Sequence, residues 1–163
     1  MNTKIVKIDK ENIDKDQIRM LGRIISDGGL VAFPTETVYG LGANAYNDEA
    51  VANIYKAKGR PQDNPLIVHF CDVESVYDAV CEVSDKAKKL FFAFWPGPLT
   101  VILKKSDKIS KTVTAGLDTV ALRVPEDKVA LELIRAAGVP IAAPSANLSG
   151  KPSPTTARHV IAD

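Results

Sequence analysis

One α/β domain, a sheet covered by helices, is the fold predicted by three features of this 163-residue sequence. Short apolar runs of strand length alternate along the chain with segments whose apolar residues recur at helical spacing. Hydrophobic residues make up 45% of the chain, enough for one good core at this length. No repeat, heptad run or low-complexity tract divides it, and the Gly, Ser and Pro-rich stretch from Ser145 to Pro154 is short enough to be a loop.

Ile5, Val6 and Ile8 suggest a first short strand. Ile18, Leu21, Ile24 and Ile25 then share one helical face, and Gly28-Gly29 supplies a stop. Leu30 to Phe33 reads as a buried strand ended by Pro34. A helix begins near Asn47 or Asp48 and carries Val51, Ile54 and Tyr55, and a strand follows at Leu66 to Phe70. A helix from Ser84 toward Trp95 leads into a Pro-Gly-Pro turn at 96–98 and a strand through Leu99 to Leu103. Val120 to Val124 is a strand, Lys128 to Ala137 a helix, and Pro140 to Ala143 an apolar strand. Thr155 to Ala162 looks like the start of a further helix, so the domain is expected to be cut short at Asp163.

Composition narrows the function. Lys and Arg total 21 against 20 Asp and Glu, so any basic site must be local rather than a global field for nucleic acid. Cys71 and Cys81 have neither a second pair nor a histidine pattern beside them, which argues for reduced thiols and against structural zinc or a secreted disulfide framework. The N-terminus develops no signal-like apolar region and no apolar stretch reaches spanning length. A soluble, cytoplasmic protein without a membrane partner is expected.

The chemistry-bearing residues collect after strands. Thr35, Glu36, Thr37 and Tyr39 follow the Leu30 strand, and Ser145 and Asn147 follow the Pro140 strand; open α/β sheets place ligands at such edges. Lys56, Lys58 and Arg60 put three cations within five residues at a helix end, where they can meet a polyphosphate or simply complement the helix dipole. Ser145 to Ser153 has the composition of a phosphate-wrapping loop, or of an ordinary one. Pro152 after Gly150-Lys151 rules out a Walker A motif, and Gly40-Leu41-Gly42 lacks the third glycine of a dinucleotide fingerprint. His69 in an apolar strand is by default a structural histidine. Trp95 to Pro98 reads as a core plug with a rigid turn that shapes a cleft wall. Arg123, in an otherwise apolar strand, calls for a partner: a bound carboxylate or an acidic side chain of the same chain. No ordered Ser-His-Asp or Cys-His set and no carboxylate cluster for a metal is evident, so positioning and charge neutralisation in a basic, carboxylate-poor cleft is the expected mode of catalysis.

Four segments in this order carry a resemblance: Phe33-Pro34-Thr35-Glu36-Thr37-Val38-Tyr39-Gly40-Leu41, Lys56 to Leu66, Trp95 to Thr100, and Ala143-Pro144-Ser145-Ala146-Asn147. Together they resemble the YrdC-like family of threonylcarbamoyl-AMP synthases across nearly the whole chain. The resemblance implies a twisted mixed sheet with a large concave cleft. It also implies a nucleotidyl transfer from ATP, L-threonine and bicarbonate that supplies the threonylcarbamoyl modification of tRNA adenosine, with Mg²⁺ carried on the ATP phosphates and with RNA or tRNA-modification proteins as partners.

By the same resemblance Thr37, His69, Arg123 and the backbone near Ala143 would hold threonine. Lys58, Arg60, Asn64, Thr119, Ser145, Asn147 and Ser153 would line the ATP side, with Lys58 and Arg60 as the catalytic pair. The later Ser-Thr and Arg-Pro-Gly elements of the family do not occur before Asp163. A double-stranded-RNA-binding module of the same fold is the rival from another class; near-neutral charge and the lack of an aromatic stacking signature weigh against it.

Overall fold

Helices in this chain begin where a short polar side chain can cap them. In the computed structural model, which describes residues 3–163, Asp14 caps α1 (Lys15–Ser26) by accepting from the Asp16 and Gln17 N–H groups. Asn47 caps α2 (Asp48–Lys58), Ser84 caps α3 (Asp85–Phe94), and Asp127 caps α4 (Lys128–Ala137). Thr156 caps the short α5 (Ala157–Ala162). Gly59 and Gly138 end α2 and α4 in the left-handed conformation, with φ of 60° and 66°, where a side chain would be strained.

Six strands form one open mixed sheet: β1 (Val31–Phe33), β2 (Gly40–Asn44), β3 (Ile67–His69), β4 (Val101–Lys104), β5 (Thr119–Arg123) and β6 (Ile141–Ala142). Their order is β1-β2-β6-β3-β5-β4, and only the β3–β5 pair is parallel. A 3-10 helix, Glu74–Ala79, follows β3.

Because side chains alternate across each strand, the register divides the core into two. Ala43, Val68, Leu122 and Ala142 face one side, where they pack with Val51, Ile54 and Tyr55 of α2, Phe91 of α3 and Val76 of the 3-10 helix. Val31, Phe33 and Ile141 face the other, beneath Ile25 of α1 and Ala130, Leu133 and Ile134 of α4. The α1–α4 layer covers only the β1-β2-β6 half of that second face. Over β3, β5 and β4 the same face carries His69, Arg123 and the half-buried Ile67, Ala121 and Thr119, and at its edge Ile102 is 66% exposed. No helix of the α1–α4 layer lies over this half-face, which carries the residues of the candidate site.

Two sequence expectations are corrected. Residues 3–9 form no strand; no partner pairs with them, and Ile5 is exposed. The segment is held instead by ion pairs from Lys10 to Asp127 at 2.6 Å and from Lys128 to Glu11 at 3.2 Å. Gly40–Asn44, weighed by sequence only as a glycine fingerprint, is the strand β2. The twisted mixed sheet that the resemblance implies is present, with four of the five strand pairings antiparallel.

Candidate functional site

Arg123 ends β5 with its side chain on the half-face that α1 and α4 leave uncovered, beside His69 of β3, which in turn pairs with Ile141 of β6. The residue is 7% exposed. Such a guanidinium needs partners, and three supply them. Its Nε donates to the Gly97 carbonyl at 3.3 Å, and its Nη2 donates to Thr37 Oγ1 at 3.2 Å and lies 2.7 Å from Glu36 Oε1. The acidic side chain of the same chain is thus present. Of the two partners the sequence left open for Arg123, the structure supplies the intramolecular one, as a positive charge this deep needs a counter-charge.

That loop is pinned by Thr35. Its hydroxyl donates to the Val38 carbonyl at 2.6 Å and accepts from the Thr37 and Val38 N–H groups, both at 3.2 Å. With the single hydroxyl proton of Thr35 committed, the 3.0 Å contact to Thr37 Oγ1 has Thr37 as donor, which leaves the Thr37 oxygen to accept from Arg123. Further along, Tyr39 N–H donates to Pro154 and Leu41 N–H to Pro144, while Ala146 N–H donates back to Tyr39. The 34–39 loop and the 143–154 segment are therefore one assembly.

His69 is buried, with its ring edge-on to Phe33 at 6.0 Å. Phe33 can reach it because Gly40 and Gly42 leave room on the intervening strand: a methyl group at Gly42 would lie 2.8 Å from Phe33 Cε1 and 2.5 Å from Ile141 Cγ2. Burial, and then the Arg123 guanidinium, lower the His69 pKa to about 4, so the imidazole is neutral at physiological pH. Its Nδ1 has no hydrogen-bond partner. Ala143 follows β6 on the same face, donating its N–H to Ile67 at 2.9 Å.

The second cluster forms at the end of α2. Lys58 is 4% exposed, and its ammonium donates to the carbonyls of Ser145 and Asn147. Desolvation, and next the neighbouring Arg60, lower its pKa. Two of its three N–H groups are thus engaged among the described residues, leaving one to point elsewhere. Asn147 is buried as well; its amide nitrogen donates to the Leu148 and Lys151 carbonyls at 2.9 Å each, and its Oδ1 has no partner. Lys58, Arg60, Ser145 and Asn147, separated by 85 positions or more between the two segments, are brought together.

The remaining predicted residues sit around these clusters. Thr119 begins β5 on the same face as Arg123, paired with Lys104. Asn64 is exposed and accepts from the Tyr55 hydroxyl through its carbonyl at 2.9 Å. Ser153 is exposed next to Pro154, and no hydrogen bond ties it to either cluster among the described residues. Trp95 is a core residue, stacked on Phe91 at 4.1 Å with Nε1 donating to Leu99, and its turn supplies the Gly97 carbonyl that Arg123 uses. Sequence reasoning placed Thr35, Glu36 and Gly97 at the cleft but did not name any of them as a partner of Arg123 or of its loop. Thr35 left a signal, a hydroxyl followed by polar residues at a turn; the other two depend on where Arg123 points. Among the described residues no group of three His, Cys, Asp or Glu side chains could hold a metal ion, and no helix is long and apolar enough to cross a membrane.

Comparison with known proteins agrees with this arrangement. The family model Sua5_yciO_yrdC, described as telomere recombination, matches residues 23–163. The threonylcarbamoyl-AMP synthase of Bacillus subtilis (strain 168) is 56% identical over 156 residues, 95% of this chain and 45% of that protein. The crystal structure of P. abyssi Sua5 complexed with L-threonine superposes with a TM-score of 0.92 at 53% identity, covering 93% of this chain and 45% of that one. Full-length HypF in its phosphate- and nucleotide-bound form gives 0.77 at 27% identity, over 90% of this chain and 23% of that one. The chain thus spans about half the length of the curated relatives it matches. With the family model matching residues 23–163, a relative 56% identical over 95% of the chain and the same mixed sheet, this chain belongs to the Sua5/YciO/YrdC family.

Proposed function

We propose that this chain provides the threonine- and nucleotide-binding cleft of a threonylcarbamoyl-AMP synthase, which joins L-threonine, bicarbonate and ATP and releases pyrophosphate, for the threonylcarbamoyl modification of tRNA adenosine. The observation that carries the reading is the pair of buried cationic groups, Arg123 and Lys58, each aimed at polar loops of the same assembly. In support, a relative at 56% identity is named for this activity, and P. abyssi Sua5 has been crystallised with L-threonine. Full-length HypF, crystallised in a phosphate- and nucleotide-bound form, contains a segment of the same fold.

In this reading the threonine carboxylate docks on Arg123, which Thr37 helps to orient, with the neutral His69 and the backbone around Ala143 lining its side chain. The neutral amine attacks the bicarbonate carbon, a carbon–oxygen bond breaks and water leaves, giving a carbamate. A carbamate oxygen attacks the α-phosphorus of ATP, the bond to the β-phosphate oxygen breaks, and pyrophosphate leaves. Lys58 and Arg60 offset the charge that develops on phosphate, and the chain's task is positioning more than proton transfer. Thr119, Asn64, Ser145, Asn147 and Ser153 line the nucleotide side. Magnesium would be held by the oxygens of the ATP phosphates that carry it, while the cations, amides and hydroxyls of this chain meet the remaining phosphate oxygens.

Calorimetry with L-threonine and with ATP, paired with an assay of pyrophosphate release that requires both threonine and bicarbonate, tests the proposal. Both ligands are expected to bind. Absence of threonine binding, or pyrophosphate release indifferent to threonine, would overturn it.

A further inference from the structure

Glu36 is the one ionised group of the cleft that the reaction just described leaves unused. It lies 2.7 Å from Arg123 Nη2, and only 18% of its side chain is exposed. The opposite terminal nitrogen of the guanidinium, Nη1, makes no hydrogen bond among the described residues, whereas Nε and Nη2 are committed to Gly97, Thr37 and Glu36. An incoming carboxylate can therefore take Nη1 while Glu36 keeps Nη2.

Charge bookkeeping then decides which carboxylates are admitted. Arg123 and Glu36 cancel, and His69 beside them is neutral at physiological pH, its pKa lowered to about 4. Lys10 is occupied by Asp127. A simple carboxylate entering this site would place a second negative charge next to Glu36, with the one Arg123 guanidinium shared between the two. At about 5 Å and an effective dielectric near 20, that repulsion costs on the order of a hundredfold in affinity. An amino acid brings its own ammonium, which Glu36 can face, and the site stays neutral.

We propose that Glu36 is a specificity-determining residue that makes the Arg123 site selective for zwitterions, facing the ammonium of an amino acid whose carboxylate is held by Arg123 Nη1. The inference rests on the threonine reading and deepens it. It assigns to the carboxylate of the 34–39 loop the discrimination between an amino acid and the corresponding hydroxy acid.

The test compares L-threonine with 3-hydroxybutanoate, which is threonine without its amine, by calorimetry on the wild-type chain, E36Q and E36A. Wild type is expected to prefer threonine by about thirtyfold or more, and E36Q to narrow the ratio to about threefold or less, mainly because 3-hydroxybutanoate gains affinity. The E36A chain guards against an effect peculiar to the glutamine amide, and melting curves of all three establish that each is folded. A ratio that stays high in both variants places ammonium recognition elsewhere and overturns the proposal. A wild-type chain that binds both compounds equally overturns it without any variant. Failure of wild type to bind threonine at all is a distinct result, which removes the threonine reading and this inference with it.

Discussion

At the scale of single residues, the two buried cationic groups are held in different ways. Arg123 is balanced by Glu36, whereas Lys58 has carbonyl dipoles as partners and a lowered pKa from burial and Arg60. Lys58→Met keeps the stem's packing but leaves the Ser145 and Asn147 carbonyls without their donor. It is expected to weaken ATP binding at least about tenfold and to lower stability by roughly 1–3 kcal/mol, read by calorimetry and urea unfolding. His69 makes the chain pH-sensitive in a defined direction. Its folded pKa of about 4 lies below the ordinary 6.5, so between those values the unfolded chain binds the proton that the folded chain refuses. The stability contributed by keeping it neutral is complete above pH 6.5 and is lost as pH falls toward 4, by roughly 2–3 kcal/mol. Urea midpoints at pH 7 and pH 5 should therefore diverge more in wild type than in His69→Gln. Equal pH dependence in the two would show that other groups carry it.

At the scale of elements, glycines that look like punctuation in the sequence turn out to be packing surfaces. Gly42→Ala puts a methyl group 2.5 Å from Ile141 Cγ2 and 2.8 Å from Phe33 Cε1, so Phe33 must move off His69. A loss of about 1–3 kcal/mol is expected, with weakened threonine binding although Gly42 touches no predicted ligand; stability lost with binding intact would contradict the link to His69. The same crowding explains what was legible. Helices announced themselves through periodicity and caps: Asn47, Ser84 and Asp127 stand where the structure begins α2, α3 and α4. β2 did not, because Gly40-Leu41-Gly42 has poor strand propensity and earns its place only through what the absent side chains allow. The Ile5 to Ile8 run misled for the converse reason: it has strand-like residues and no strand to pair with. In the site, motif segments named Lys58, Arg60, Ser145 and Asn147, but the partnership of Arg123 with Glu36 lies across 87 positions, and no local pattern encodes it.

At the scale of the whole molecule, the two core clusters are joined by the sheet they share. Ile141 belongs to the α1–α4 side and its neighbour Ala142 to the α2–α3 side, so neither layer can leave without stripping a face of the same strand. Tight backbone contact fixes α1 on α4: a methyl group at Gly22 would lie 2.6 Å from the Ala136 carbonyl carbon, and backbone cannot swing aside as a side chain can. Gly22→Ala must therefore lift α1, and its effect reports whether the clusters unfold together. The single tryptophan sits on the far side of the sheet, stacked against Phe91, so its fluorescence follows the α2–α3 cluster, whereas far-ultraviolet circular dichroism follows all the helices. For one cooperative unit the two signals should coincide in wild type and shift together in Gly22→Ala, by an amount equivalent to about 2–4 kcal/mol. A variant in which the dichroism falls first while Trp95 fluorescence keeps its wild-type midpoint would mean that the α1–α4 layer opens by itself. His69 and Arg123 would then lose the cover beside them before the core beneath them fails.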